Sequence, residues 1–327
     1  GPLPRDWAKW RGHYTHGDQV ILSYTVGASG ILELPGFGGG IFTRQFEITH
    51  SPSKSPLKLL LAEVPGAAGK VEGKIATLES DGQVTGATAL NAGVTLKAEN
   101  GRITAEIKSL LPTSQFIVGM WNGPAGQLGE LKDFSKIKIK TRALTDMTKG
   151  GPAQWNKPVT TRGRLSLVPG AYVVDTITVP EDNPWKSWIR CSGFDFFEDG
   201  TTAAMCSVTG DVWIVSGIDE ELKELKWRRY ATGLFQPLGL KIVEGQVYVL
   251  GRDQITRLHD LNKDGEADFY ENFNNDISIT NHYHEFCLNL STDPEGNFYF
   301  IKGGNLRKAT VPHHGCLVRV SKDGSKL

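Results

Sequence analysis

Three features of the sequence predict an all-β protein in two parts. Short runs of alternating apolar and polar residues recur along the chain, and few stretches carry a helical period. Glycine is abundant, 38 of 327 residues, where about 7% is usual, as expected of many tight turns. In the second half, acid-glycine pairs repeat: Asp199-Gly200, Glu244-Gly245 and Glu295-Gly296 stand 45 and 51 residues apart. A chain of 327 residues has ample length for two domains, each with its own core.

The first part, residues 1–143, reads as successive short strands, among them 20–26, 41–48, 57–62, 94–98, 103–107 and 116–121. Asp81-Gly82 and Asn100-Gly101 are hairpin turn signals between such runs. Many strands without an intervening helix predict a β-sandwich-like domain. Residues 144–170, rich in Gly, Pro and Thr, read as a linker.

The second part, 171–327, is repetitive. Each acid-glycine pair follows an apolar strand (194–197, 240–243, 288–290) and precedes another (203–206, 247–250, 298–301). A third strand then comes at 211–215, 254–258 and 316–320. A period of about 40–50 residues with several strands per unit is the pattern of β-propeller blades. Three blades fit in this length, and a closed propeller takes at least about four. The expectation is therefore a partial propeller in a truncated chain. The opening Gly-Pro-Leu-Pro, without methionine, adds the expectation that the natural start is missing too.

Composition narrows the functional classes. Lys plus Arg equals Asp plus Glu at 36 each, and no basic stripe of the kind that tracks nucleic acid is present. The densest basic run, Lys136-Ile-Lys-Ile-Lys-Thr-Arg142, reads as the solvent face of an alternating strand. No apolar run approaches the roughly 20 residues of a membrane-spanning helix. The four cysteines, Cys191, Cys206, Cys287 and Cys316, form no C-x-x-C or C-x-x-C-H, so neither a zinc ribbon nor covalent haem attachment is legible. They read as buried free thiols, with a Cys191–Cys206 bridge the alternative in an oxidising compartment.

The sharpest local motif is Asp260-Leu-Asn262-Lys-Asp264-Gly265-Glu266-Ala-Asp268-Phe-Tyr-Glu271. It fills the calcium-loop template D-x-[DN]-x-[DN]-G-x5-E. Asp260, Asn262, Asp264, Asp268 and Glu271 supply side-chain oxygens at ligand positions, Glu266 sits among them, and Gly265 allows the sharp turn. The alternative is a solvated acidic turn. An EF-hand needs a helix on either side, whereas 254–259 and 269–273 read as short strands. The loop is therefore expected to close a hairpin, with calcium as a structural clip.

A resemblance adds to this reading. Pro184-Trp-Lys-Ser-Trp188, Gly210-Asp-Val-Trp-Ile-Val-Ser216, Phe235-Gln-Pro-Leu-Gly239, the run from Tyr248 to Leu258, and His313-His-Gly315 carry it. The chain over 170–327 resembles the secreted, cytochrome-linked propeller proteins of planctomycete-type bacteria, described as membrane-bound or quinoprotein sugar-dehydrogenase-like. Trp10-Arg-Gly12 and His16-Gly-Asp-Gln-Val-Ile-Leu-Ser-Tyr24 resemble the β-domain that precedes that propeller. The resemblance implies an extracytoplasmic sugar- or alcohol-oxidising dehydrogenase using pyrroloquinoline quinone and passing electrons to a c-type cytochrome. Haem c would lie in a domain outside this chain, since C-x-x-C-H is absent. The fragment alone is expected to be inactive.

On a propeller model one face collects Trp188, Arg190, Gln236, Arg252, Asp253, His282, His284, Glu285, His313 and His314, and the calcium loop falls on the other. His282 and His284 stand two apart, on the same side of an extended segment. With His313, His314 and Glu285 they could hold a transition metal. Alternatively one histidine is a general base, the role the resemblance implies, with Arg190 or Arg252 pairing with quinone carboxylates and Gln236 and Asp253 beside them. A plain network of polar channel residues is the third reading. Trp185 and Trp188 could stack on a sugar or pack between blades. The rival function is a non-catalytic propeller that binds carbohydrate or protein and carries a structural calcium site.

Overall fold

The computed structural model describes residues 4, 6–51, 56–90, 93–108, 112–304 and 311–327. The opening Gly-Pro-Leu lies outside them. Across the described residues the chain is all-β, with 23 strands and one short α-helix. It divides into two compact units, Gly1–Lys149 and Gly150–Leu327.

In the first unit the strands are β1 (Ala8–His16), β2 (Gln19–Val26), β3 (Ser29–Gly38), β4 (Ile41–Thr49), β5 (Leu57–Glu63), β6 (Ala68–Glu72), β7 (Ile75–Ser80), β8 (Gln83–Ala89), β9 (Val94–Glu99), β10 (Arg102–Ile107) and β11 (Thr113–Pro124). Eight of them run side by side in the order β1-β2-β3-β4-β11-β8-β7-β6. The other three form the sheet β5-β10-β9. Alternation along each strand puts one set of side chains inward. Ile31, Phe46, Ile48, Phe116 and Val118 from the larger sheet meet Ile107 and the partly buried Leu57, Leu59 and Val94 of the smaller. Asp81 and Gly82 both take positive φ, 52° and 72°, the backbone of a two-residue hairpin turn between β7 and β8.

Two sequence expectations change here. The run Lys136–Arg142 is no strand: it follows the helix α1 (Gly129–Phe134) and joins no ladder. Both neighbours of β11 are already β4 and β8, and the run is held instead by side chains, Gln45 Nε2 donating to the Arg142 carbonyl at 2.7 Å. Nor is 144–170 a free tether. Leu144 and Met147 are buried against Ile21 in the first unit, while β12 (Val159–Thr161) pairs within the second. Its glycines and prolines punctuate irregular chain that is nonetheless packed.

The second unit is built of antiparallel meanders. The first is β13 (Cys191–Phe196), β14 (Thr202–Ser207), β15 (Val212–Ser216) and β16 (Leu225–Ala231), with β12 added beyond β16. The next is β17 (Gly239–Val243), β18 (Gln246–Leu250), β19 (Ile255–His259) and β20 (Phe269–Asn274), followed by β21 (Cys287–Thr292), β22 (Phe298–Lys302) and β23 (Cys316–Val320). Each acid-glycine pair of the sequence turns the first strand of a meander into the second.

Successive meanders stack face to face. Ala204, Cys206 and Val212 of the first pack on Leu240, Val247, Val249 and Leu258 of the second. The opposite face of the second presents Tyr248, Leu250, Ile255 and Phe273 to Cys287, Leu290, Phe298, Phe300 and Val318 of the third. Each such large side chain contributes about 1.5–3 kcal/mol on burial. The outer face of the first meander buries Trp213 and Trp227 under the partly buried Ile177, Val179 and Trp185, so Trp185 is a packing residue.

The first strands of the meanders lie beside one another and run the same way. Ser192 Oγ donates to the Pro237 carbonyl at 2.6 Å, Lys241 meets Asp195 at 2.8 Å, and the Asn289 amide donates to the Leu238 carbonyl at 3.1 Å. A Cβ on Gly193 or Gly239 would sit 2.8 Å from the neighbouring first strand, so glycine permits this approach. All four cysteines are free thiols. Cys206 faces the second meander, whereas Cys191, one ladder step away, is exposed and its Sγ lies 2.9 Å from Met205 Sδ. The buried-thiol expectation holds for Cys206 and Cys287, not for Cys191.

Candidate functional site

Parallel first strands bring the connections that lead into β13, β17 and β21 to one end of the second unit. Antiparallel pairing returns the β18–β19 and β22–β23 connections to that end. Arg190, Gln236, Arg252, Asp253, His282, His284, His313 and His314 all lie on these connections. The β19–β20 loop, 260–268, lies at the other end.

Arg252 organises the strand-start end. It is buried, at 6% exposure. Its Nε donates to the Glu285 carbonyl at 3.1 Å, Nη1 to Gln236 Oε1 at 3.1 Å, and Nη2 to the carbonyls of Thr280 and His282. These bonds pin the 280–285 turn to Gln236, whose own backbone is left-handed at φ 45°. Arg252 is a structural clamp, with its donors spent on three carbonyls and the Gln236 side chain. Burial pushes the Asp253 carboxyl up from its ordinary range. Arg190 is exposed, and its guanidinium has no hydrogen-bond partner among the described residues.

Behind the turn sits an ion pair that the sequence reading missed. Lys302 Nζ lies 3.2 Å from Glu285 Oε2, and both side chains are wholly buried. His314 Nδ1 approaches the other oxygen, Oε1, at 3.6 Å. Burial pushes the Glu285 carboxyl up, but hydrogen bonds from Thr280 and Lys302, with the charges of Lys302 and His314, outweigh it and hold it below the usual range. One signal was legible: Lys302 continues the inward alternation of Phe298 and Phe300, so strand period alone places it inside. Gly303 and Gly304 let β22 leave close to this turn; a Cβ on Gly304 would sit 2.9 Å from His314 Nε2.

The four histidines do not converge on a metal. Among the described residues no three His, Cys, Asp or Glu side chains come together at metal-binding separation. His282 and His284 lie on a turn, not an extended segment, so their rings flank Tyr283 with centroids 5.4 Å apart. The His284 amide donates to His282 Nδ1 at 3.3 Å. His314 is turned to Glu285, and His313 takes a left-handed φ of 61° with Nδ1 buried and without a hydrogen-bond partner among the described residues.

Three aromatic side chains stand out from this end instead. Trp188, Phe235 and Tyr283 are 66%, 46% and 68% exposed. Each precedes the first strand of its meander by three or four residues, so the three occupy equivalent places. Arg190 and Gln236 lie within two residues of Trp188 and Phe235, and the imidazoles of His282 and His284 border Tyr283.

At the opposite end the acidic loop is tied up by main-chain donors. Asp260 accepts the amides of Asp264 at 3.1 Å and Gly265 at 2.8 Å. Asp264 accepts the Glu266 amide, and Asn262 Oδ1 the Asp264 amide. Glu266, assigned to the metal by sequence, instead receives the amides of Gln154 and Trp155 at 2.6 and 2.5 Å. Asp268 receives those of Gly151 and Leu261 at 2.7 and 2.8 Å. Glu271, in the place of the bidentate ligand, is held by Arg257 and His259, both at 2.6 Å. A flanking strand puts Glu271 on the β19–β20 ladder, paired with Arg257, where an EF-hand helix would have returned it to the loop. The six residues assigned to calcium are therefore dispersed: Glu266 and Asp268 tether residues 151–155, and Glu271 lies on the ladder. Only Asp260, Asn262 and Asp264 stay together on the turn, where among the described residues no three acidic, His or Cys side chains come together at metal-binding separation.

A domain of unknown function, DUF6797, matches residues 1–33. No curated protein matches. A solved Bacteroides fragilis structure, named as a candidate 6-phosphogluconolactonase, aligns over 98% of this chain and 96% of its own at 13% identity, with a TM-score of 0.23.

Proposed function

We propose that the second unit is a set of β-propeller blades whose strand-start end binds carbohydrate without catalysis, and that the first unit is a β-sandwich. Stacked meanders with parallel first strands support the propeller reading. Two sheets sharing one core support the sandwich. The observation that carries the binding reading is the exposed set of Trp188, Phe235 and Tyr283 at equivalent positions. Flat aromatic faces stack on the apolar faces of sugar rings, while a polar border supplies hydrogen bonds. Arg190, Gln236, His282 and His284 form that border. Such a protein would work outside the cytoplasm, where polysaccharide is met.

The oxidoreductase reading suits the described residues less well. The cations it assigns to quinone carboxylates are Arg252, spent on carbonyls and Gln236, and Arg190, which stands alone. The residues described do not fit a pyrroloquinoline quinone site, so no route to a c-type cytochrome follows. At the other end Asp260, Asn262 and Asp264 fit a calcium clip in chemistry, since all present hard oxygens on one turn.

The test is gel retardation of the full chain by a panel of soluble polysaccharides, with Trp188→Ala and Tyr283→Ala. Retardation by at least one polysaccharide, weakened about two- to tenfold by each variant, is the expected result, each stack being taken at about 0.5–1.5 kcal/mol as for aromatic pairs. Quinone-dependent dye reduction by the full chain with a sugar would favour the oxidoreductase instead.

A further inference from the structure

A cleft of about 570 Å³ lies between the first and second meanders, at the end opposite the aromatic set. Its size falls among small-molecule sites, which span about 300–1,000 Å³. Phe197, Ile214 and Val247 give it apolar walls. Its polar lining comes mainly from alternate residues of β16: Lys226, Arg228 and Tyr230. Period-two alternation aims all three the same way, away from the buried Trp227.

These donors are largely unspent. Arg228 Nη1 donates to the Asp264 carbonyl at 2.6 Å, and the guanidinium has no further acceptor and no carboxylate partner among the described residues. The hydroxyls of Tyr230 and Ser216 and the amide of Gln246 also have no hydrogen-bond partner there. Lys226 is shared with Glu224 at 3.4 Å on the exposed rim. One carboxylate lines the cleft, Asp260, and both its oxygens are taken by the amides of Asp264 and Gly265. Burial and the nearby Asp260 raise the Tyr230 pKa, which keeps the phenol a neutral donor. The cleft sets two cationic side chains, Lys226 and Arg228, against one carboxylate, Asp260, whose oxygens already accept two amides. With its apolar walls and the hydroxyl and amide groups able to donate, it suits an anion on an apolar body.

We propose that this cleft binds a small organic carboxylate, with its charge on Arg228 and Tyr230 and its hydrocarbon part against Phe197, Ile214 and Val247. Lys226 strengthens the field at the rim. The site is independent of the carbohydrate reading, which concerns the other end.

The test is calorimetric titration of the full chain with 4-phenylbutyrate, and with 4-phenylbutanol as the uncharged match. Saturable binding of the acid, about tenfold or more tighter than the alcohol, is expected, as is a loss of about tenfold in Arg228→Gln. Because Arg228 also holds the Asp264 carbonyl, Tyr230→Phe provides a second variant that removes one oxygen only. It should weaken the acid by about threefold or more and leave the alcohol unchanged. No saturable binding, equal affinity for acid and alcohol, or acid affinity unaltered in Tyr230→Phe would each overturn the proposal.

Discussion

Glu285 and Lys302 show what single side chains decide in this molecule. Each is wholly buried and each neutralises the other. Removing one leaves the other's charge without its partner, so Lys302→Met or Glu285→Gln should cost about 1–3 kcal/mol. The double variant, which removes both charges, should recover most of that loss in urea unfolding. Glu271 makes a pH prediction. Burial raises its carboxyl, but hydrogen bonds from His259 and Arg257 outweigh this and leave its pKa lowered. A lowered carboxylate pKa gives stability that is present above the unfolded value, about 4.3, and lost as pH falls through the folded value. Wild type should therefore exceed Glu271→Gln in urea midpoint at pH 7, and the gap should close as the pH falls toward 3. The sequence made the positions of Arg252 and His314 legible but not their duties. Arg252 is satisfied by carbonyls some 28 to 33 residues away, and no local pattern encodes such a partner.

At the scale of elements, the loop 260–268 acts as a staple for chain that precedes it by more than a hundred residues. Glu266 is buried at 6% exposure and takes two main-chain amides. Glu266→Ala strands both, at about 2–3 kcal/mol, and hydrogen exchange at 154–155 should rise before the strands of the second meander exchange. Calcium is a separate matter of the same turn. Added calcium should raise the melting temperature of the wild type, and Asp264→Ala should abolish that rise; an equal rise in both would remove Asp264 from the site. Hairpins were the most legible elements, because Asp81-Gly82 and Glu244-Gly245 demand positive φ and receive it. The basic run at 136–142 alternates like a strand yet has none to join. Alternation reports which side chains could face water; a ladder also needs a free edge.

At the scale of the whole molecule, the second unit repeats a simple arrangement. Its middle meander buries one face on the meander before it and the other on the next, and equivalent loops collect at equivalent ends. The period in the sequence revealed this arrangement because turn chemistry recurs with it. The candidate site was less legible: Trp188 is a candidate sugar platform from sequence alone, but Phe235 and Tyr283 are ordinary residues until the fold places them at positions equivalent to its own. The most direct test is hydrogen exchange by mass spectrometry on the full chain, with and without a polysaccharide that retards it. Protection confined to about 186–190, 234–237 and 281–286, with 257–270 unchanged, is the result expected of aromatic platforms at the strand-start end. Protection elsewhere, or none in those three segments at saturating polysaccharide, would contradict the account.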